Sequence, residues 1–400
     1  MKRILLLSVV LTHTVFAQNY VHQVLILNEG YFDFTTNQII VPPTIGSYDP
    51  LTQVYTSIDT LSGSRFASDM IIDGDYIYIA ADNMLYKYDK YTMAAINNQQ
   101  VDGIRNLAIW NDKIIVTRGD YDNTTFMPVL FNSYLQIFNT SDLSFYMQFD
   151  TISGPKWSTQ NMIVNNDMLY VAVNNAYEWG NEKGIVGVVD MSTMYYTGEI
   201  DLGPDAKNPD NMLFDGTNIY TVNNKDWSGA SISKLDLATS TPTTVNMSMV
   251  STGCGTSCLR DNKVVYQISG DTDLYEWDPA TMPISGIPIG FAQNFYTLQM
   301  DNINNYLYTS STDFFSYGSV EIYDSANVMI ESFNCGISPG KIVFDIRNNI
   351  TSIDESIVLD SEKNTILYDL SGRVILNEKD LPSGVYIKNN QKVYISKSDY

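Results

Sequence analysis

Residues 70–89 hold one copy of the pattern that decides the fold: Met70-Ile71-Ile72, then Asp73-Gly74-Asp75, then Tyr76-Ile77-Tyr78-Ile79, closing on Tyr88-Asp89. A short apolar strand meets a tight polar turn, and a denser apolar strand follows. Asp-Gly supplies the positive φ that a two-residue hairpin needs. Alternating large and small apolar residues suit a strand covered on both faces. The closing apolar-Asp pair ends a third strand, and the Asp side chain caps the turn into a fourth.

This unit recurs along the chain. Apolar-Asp or apolar-Asn pairs stand at Tyr48-Asp49, Tyr88-Asp89, Phe138-Asn139, Val189-Asp190, Leu235-Asp236, Trp277-Asp278 and Tyr323-Asp324. Their spacings are 40, 50, 51, 46, 42 and 46 residues. A period of roughly 40–50 residues with several short strands per unit marks a β-propeller blade. Turns before the dense strand repeat as well, at Asn111-Asp112, Asn166-Asp167, Asp215-Gly216, Asp261-Asn262 and Asn304-Asn305. The strands of each blade are named A to D from the channel outward.

The two ends complement each other. Val24-Leu25-Ile26 opens the first unit as a B strand with no A strand before it, and Lys341-Ile342-Val343-Phe344 is an A strand with nothing after it. The expectation is an all-β chain: a seven-bladed β-propeller whose C-terminal A strand completes the N-terminal blade, leaving no free sheet edge. A small C-terminal β-sandwich-like domain follows. The expected divisions are a signal peptide (1–17), the propeller (18–347), a polar linker (348–357) and the C-terminal domain (358–400).

The N-terminus reads as a secretory signal: Lys2-Arg3, the apolar stretch Ile4 to Val10, and Val15-Phe16-Ala17 before the cut. No later apolar run reaches the roughly 18–20 residues of a membrane helix. Loss of Lys2 and Arg3 takes the formal charge from −22 to −24. Such a surface repels nucleic acid and anionic lipid, so neither is an expected partner, and no membrane insertion is expected. The two His are His13 and His22, and the first leaves with the signal. That argues against a His-dependent triad, a His-ligated zinc or a His general base, so no catalytic residue, metal or cofactor is assigned. Chemistry on carboxylates, Tyr and Arg stays open. Of Cys254, Cys258 and Cys335, Cys258 falls in the slot held by Met70, Met162 and Met212, which reads as a core thiol. A Cys254–Cys258 disulfide is the alternative.

Two features gather at the channel mouth, where D–A and B–C connections share a face. A basic residue precedes several A strands: Arg65, Arg105, Lys156 and Lys207. A ring of positive charge favours an anionic ligand, and the competing reading is local pairing with Asp. The B–C loops are rich in aromatics, including Tyr31, Tyr177, Trp179, Trp227 and Phe315, with Trp157 beside an A strand. These ten residues form the candidate ligand site; aromatics give large contact area at low entropy cost, or else pack the loops. Acidic pairs at Asp120-Asp122 and Asp271-Asp273 suit either Ca²⁺ or hairpin turns, with no full Ca-loop pattern present.

Two resemblances add to this reading. Tyr368-Asp369-Leu370-Ser371-Gly372-Arg373-Val374, followed by Leu381-Pro382-Ser383-Gly384-Val385-Tyr386-Ile387, resembles the C-terminal sorting domain of type IX secretion substrates. It covers about the last 50 residues and implies export, with the type IX machinery as a partner and a secreted or outer-membrane surface-attached product. Val24-Leu25-Ile26-Leu27-Asn28-Glu29-Gly30, with Tyr48-Asp49-Pro50-Leu51-Thr52, resembles surface propellers of the YVTN/lactonase-like (YncE-like) group. Some of that group capture cobalamin for a TonB-dependent transporter. Those relatives are usually lipoproteins, whereas no Cys follows Ala17 here. The functional expectation is an exported binding protein for a small molecule, glycan or surface-protein partner. The alternatives are a carboxylate- or Tyr-dependent lyase or glycosidase, which requires a buried Asp/Glu or Tyr/Arg cluster in the channel mouth with shifted pKa values, and a structural or adhesive protein, which requires packed top-face aromatics and a filled channel.

Overall fold

The computed structural model describes residues 18–225, 229–248, 256–268, 270–280, 286–291, 293–349, 367–368, 374–375, 381, 383–388 and 391–395. The chain divides into two compact units, one spanning Gln18–Asn349 and the other made of 1–17 with 350–400.

The larger unit is a seven-bladed β-propeller of four-stranded antiparallel sheets. In blade 1 the order is Pro339–Asn349, Gln18–Asn28, Thr44–Asp49, Val54–Thr60, so the last strand of the unit is strand A of the first blade. Register runs from Gln18↔Asn349 to Asn28↔Pro339. Strand B therefore starts before Val24, since a longer partner satisfies its backbone groups. The remaining A strands, blades 2 to 7, are Ala67–Asp73, Ile104–Trp110, Thr159–Asn165, Pro209–Phe214, Ser257–Arg260 and Thr297–Asp301.

Seven apolar clusters hold the ring together, one at each junction between neighbouring blades. The period-2 alternation of strand B feeds two junctions at once. Ile77 and Ile79 face blade 1 with Leu25, Leu27 and Met70, while Tyr78 and Ala80 face blade 3 with Ile104, Ile114 and Val116. The closing junction joins Val24 and Ile26 to Tyr308, Val320 and Cys335, with Tyr48 stacked on Phe333 at 4.2 Å. Cys258 lies in the blade 6–7 cluster as a buried free thiol, and Cys335 is a second one. Cys254 lies outside the described residues.

The repeated Asp does cap the C–D turn. Asp49 accepts from Leu51 N at 2.8 Å and Thr52 Oγ1 at 2.9 Å, and Asp190 accepts from Ser192 N and Oγ in the same way. At Asn139 the role passes to Asp142, which accepts from Ser144 N. Asp122 and Asp271 accept hydrogen bonds from Thr125 and Tyr275 in their own loops.

The smaller unit holds a four-stranded sheet in the order Val374–Ile375, Leu367–Tyr368, Gly384–Lys388, Gln391–Ile395. All of Asp369–Arg373 and most of the expected linker lie outside the described residues.

Candidate functional site

Four successive A strands begin with a β-bulge. The register with strand B slips between Ala67 and Asp69, Ile104 and Leu107, Thr159 and Met162, and Pro209 and Asn211. A bulge re-aims the extra residue out of the ladder. Here the displaced residues are Ser68, Arg105 with Asn106, Gln160 with Asn161, and Asp210, and all of them line a cavity of about 880 Å³ at the channel mouth. In blade 1 the slip falls between Lys341 and Pro339, leaving Gly340 at the bulge. A Cβ at Gly340 would overlap Glu29 Oε1, so the missing side chain is what lets Glu29 into the cavity wall.

The cations of the wall differ in their partners. Lys341 pairs with Asp69 at 2.8 Å, and Asp69 is further held by Leu107 N at 2.9 Å. Among the described residues Arg105 forms no ion pair, and its buried Nε makes no hydrogen bond with them. The guanidinium sits 5.3 Å from the Phe66 ring and 5.4 Å from the Tyr177 ring. Such cation–π contacts leave the N–H donors free. Arg105 is therefore an available cation in the wall of a partly open, mostly polar and aromatic cavity. Orphaned acceptors surround it: Asn106 Oδ1, Gln160 Oε1 and Asn208 Oδ1 are buried without partners.

Two carboxyl groups complete the wall. Tyr296 Oη lies 2.9 Å from each oxygen of Glu29. Burial pushes the Glu29 carboxyl up to about 7, against the Tyr296 hydrogen bond and the Arg105 charge. Burial likewise raises Asp210 to about 6, again against Arg105. What exposure these groups retain faces the cavity. The three groups enter from different sides: Glu29 from blade 1, Arg105 from blade 3, Asp210 from blade 5.

Both raised carboxyls cost stability at high pH. A group whose folded value exceeds its unfolded value contributes stability below the unfolded value and loses it as pH rises through the folded value. Glu29→Gln and Asp210→Asn are therefore expected to melt above the wild type at pH 8, by roughly 1–3 kcal/mol each, with the gain vanishing near pH 4. Thermal unfolding of the three proteins across that pH range checks it.

The ten residues singled out from the sequence separate into groups. Arg105, Tyr177 and Trp179 line the main cavity, and Trp179 is 83% exposed at its rim. Tyr177 stacks on Tyr121 at 6.0 Å, and Tyr121 on Phe126 at 6.3 Å, giving an aromatic wall from the B–C loops. Lys156 and Trp157 line a neighbouring cavity of about 210 Å³ that shares Tyr177. Arg65 lies outside both cavities, ion-paired to Asp82 and Asp120 and bonded to Asn123 at 2.6 Å. Lys207 lies outside both as well. Tyr31 packs edge-on against Phe315 at 5.2 Å, away from the cavity wall. Trp227 falls outside the described residues.

Glu29, Asp210 and Tyr296 were not among the sequence candidates. For Asp210 the signal was polar residues at the start of a strand expected to be apolar, as in Gln160-Asn161 and Asp210-Asn211; Glu29 follows a B strand and Tyr296 precedes an A strand, and neither carries such a mark.

Comparison by sequence finds no matching protein family and no matching curated protein. Comparison by structure finds propellers. A hypothetical selenium-binding protein from Sulfolobus tokodaii aligns with a TM-score of 0.60 at 9% identity, over 81% of this chain and 94% of that one. A 6-phosphogluconolactonase-like protein from Bacteroides fragilis aligns with a TM-score of 0.54 at 12% identity, over 81% of this chain and 98% of that one. At such identities the likeness is one of fold.

Proposed function

We propose that this chain is an exported binding protein that takes an acidic sugar into the mouth of its propeller channel. The observation that carries the reading is Arg105: a half-buried guanidinium near two aromatic rings, with no ion pair among the described residues, in the wall of a cavity of about 880 Å³. Its free donors suit the planar oxygens of a carboxylate. The volume falls within the range of small-molecule sites. The amides of Asn106, Gln160 and Asn208 offer unsatisfied acceptors to sugar hydroxyls, and Tyr121 and Tyr177 offer ring faces. A purely structural protein needs no such cavity. Export rests on the charged-apolar-small pattern at the N-terminus and on the C-terminal segment that resembles a sorting domain.

The test is calorimetric titration of the purified protein with galacturonate oligomers, the matching neutral galactose oligomers, inorganic phosphate and cobalamin. Saturable binding of the uronates, at least tenfold tighter than their neutral counterparts, supports the reading. Equal binding of the neutral oligomers, or binding of cobalamin alone, overturns it.

A further inference from the structure

We infer that the channel is a catalytic site as well as a receptor: Asp210 and Glu29 exchange protons with an acidic sugar held by Arg105 and break its glycosidic bond by β-elimination. This rests on the acidic-sugar reading above. Three observations support the step.

The first is the placement of the charges. Arg105 stands on blade 3, two blades from Asp210 on one side and two from Glu29 on the other. The Arg105 charge acts on both carboxyl groups, and all three line one cavity, so an anion held on Arg105 meets both. The second is the chemistry Arg105 supplies. Removing a proton next to a carboxylate places further negative charge on that carboxylate, and a guanidinium bonded to it stabilises that charge. The third is the difference between the carboxyls. Asp210, raised to about 6, is mostly ionised at neutral pH and suits the base. Glu29, raised by burial to about 7 although the Tyr296 hydrogen bond opposes the rise, still carries a proton in part at neutral pH and suits the acid. Charged groups elsewhere on this wall are spoken for, since Lys341 and Asp69 pair with each other.

The step balances without a co-reactant. Asp210 takes the proton from the carbon bearing the carboxylate. The electron pair of that C–H bond becomes the new C=C bond to the adjacent carbon. The bond from that adjacent carbon to the linking oxygen breaks, its pair leaves on the oxygen, and Glu29 protonates it. The products are one unsaturated uronate end and one free hydroxyl. Solvent then returns the proton from Asp210 to Glu29. The exposed Trp179 and Phe126 at the rim offer surfaces for the leaving portion of the chain.

The experiment incubates the full chain with galacturonate and alginate oligomers in D₂O. Ultraviolet absorbance and NMR follow the double bond and deuterium at the carbon next to the carboxylate, with calorimetry alongside. The expected result is growing unsaturated ends, slowed about 10²–10⁴-fold in Asp210→Asn and in Glu29→Gln. Both variants should still bind the oligomers and melt at or above the wild type. Binding with neither double bond nor deuterium overturns the inference and leaves the binding reading standing. Saturated products also overturn it, since they mean hydrolysis. Turnover in both variants at the wild-type rate overturns the assigned roles. No binding of any oligomer removes both readings together.

Discussion

Replacing Arg105 by Leu is expected to cut affinity for acidic oligomers by about 10–150-fold while leaving neutral oligomers within a few fold. The range follows from hydrogen bonds to a charged group, worth about 1.5–3 kcal/mol, at about 1.4 kcal/mol per tenfold. The loss is specific because Arg105 has no ion pair among the described residues to break, so the fold has little to lose with it. Arg105→Lys should recover only part of the affinity, because an ammonium keeps the charge near Phe66 and Tyr177 but cannot present a planar fork. Arg65→Leu supplies the contrast. It strands Asp82 and Asp120, both largely buried, so it should lower the melting temperature and spare affinity. Titration and thermal unfolding of the three variants separate these outcomes. If Arg65→Leu weakens acidic binding more than Arg105→Leu does, the site has been misassigned.

A chain ending at residue 338 is expected not to fold. Strand A of blade 1 would be missing, exposing the backbone edge of Gln18–Asn28 and unroofing Val24 and Ile26. It would also remove Asp345, which is fully buried against Gln23 at 3.1 Å, Arg347 at 2.6 Å and Lys90 at 3.3 Å. The whole stability of a protein is only about 5–15 kcal/mol, and removing one buried ionic partner costs about 3–5 of it. Asp345→Ala alone should therefore lower stability by ~3–5 kcal/mol and leave a folded ring. Burial by itself would raise the Asp345 carboxyl, but the Arg347 and Gln23 hydrogen bonds and the Lys90 charge outweigh it and hold the value below the ordinary range. Its contribution is thus present above the unfolded value and lost as pH falls through the folded one. Wild type and Asp345→Asn should converge on acidification. Circular dichroism and denaturant melts of the wild type, the truncated chain, Asp345→Ala and Asp345→Asn check both parts. A cooperative melt from the truncated chain would show that closure is dispensable.

The fold was legible because it is written as a repeat. Each Asp-Gly or Asn-Asp turn and each apolar-Asp pair states its local structure by itself, and seven copies state the ring. The closure was legible from the missing A strand at one end and the surplus one at the other, and the register Gln18↔Asn349 to Asn28↔Pro339 realises it. Cys258 was legible as a core residue because it shares a slot with Met70 and Met212.

The candidate site was legible only in its aromatic loops and in Arg105. Arg65 and Arg105 fell into one basic set in sequence, Arg105 in a looser register, and the structure places Arg105 inside its A strand, Ile104–Trp110, rather than before it. Asp82 and Asp120 neutralise Arg65, while among the described residues no carboxylate forms an ion pair with Arg105. Glu29 stands 267 positions from Tyr296 and is admitted to the wall by the absent side chain of Gly340. The bulges depend on register between strands, a property of pairs that a single strand does not state.

By itself, then, the sequence determined the number of blades, the way the ring closes, the turn role of the repeated Asp and the poverty of His chemistry. Those follow from local pattern, composition and repetition. The tertiary structure alone decided which cation stays unpaired, which carboxyls face it and how far burial raises them. Those depend on distance and enclosure between residues brought together from separate blades.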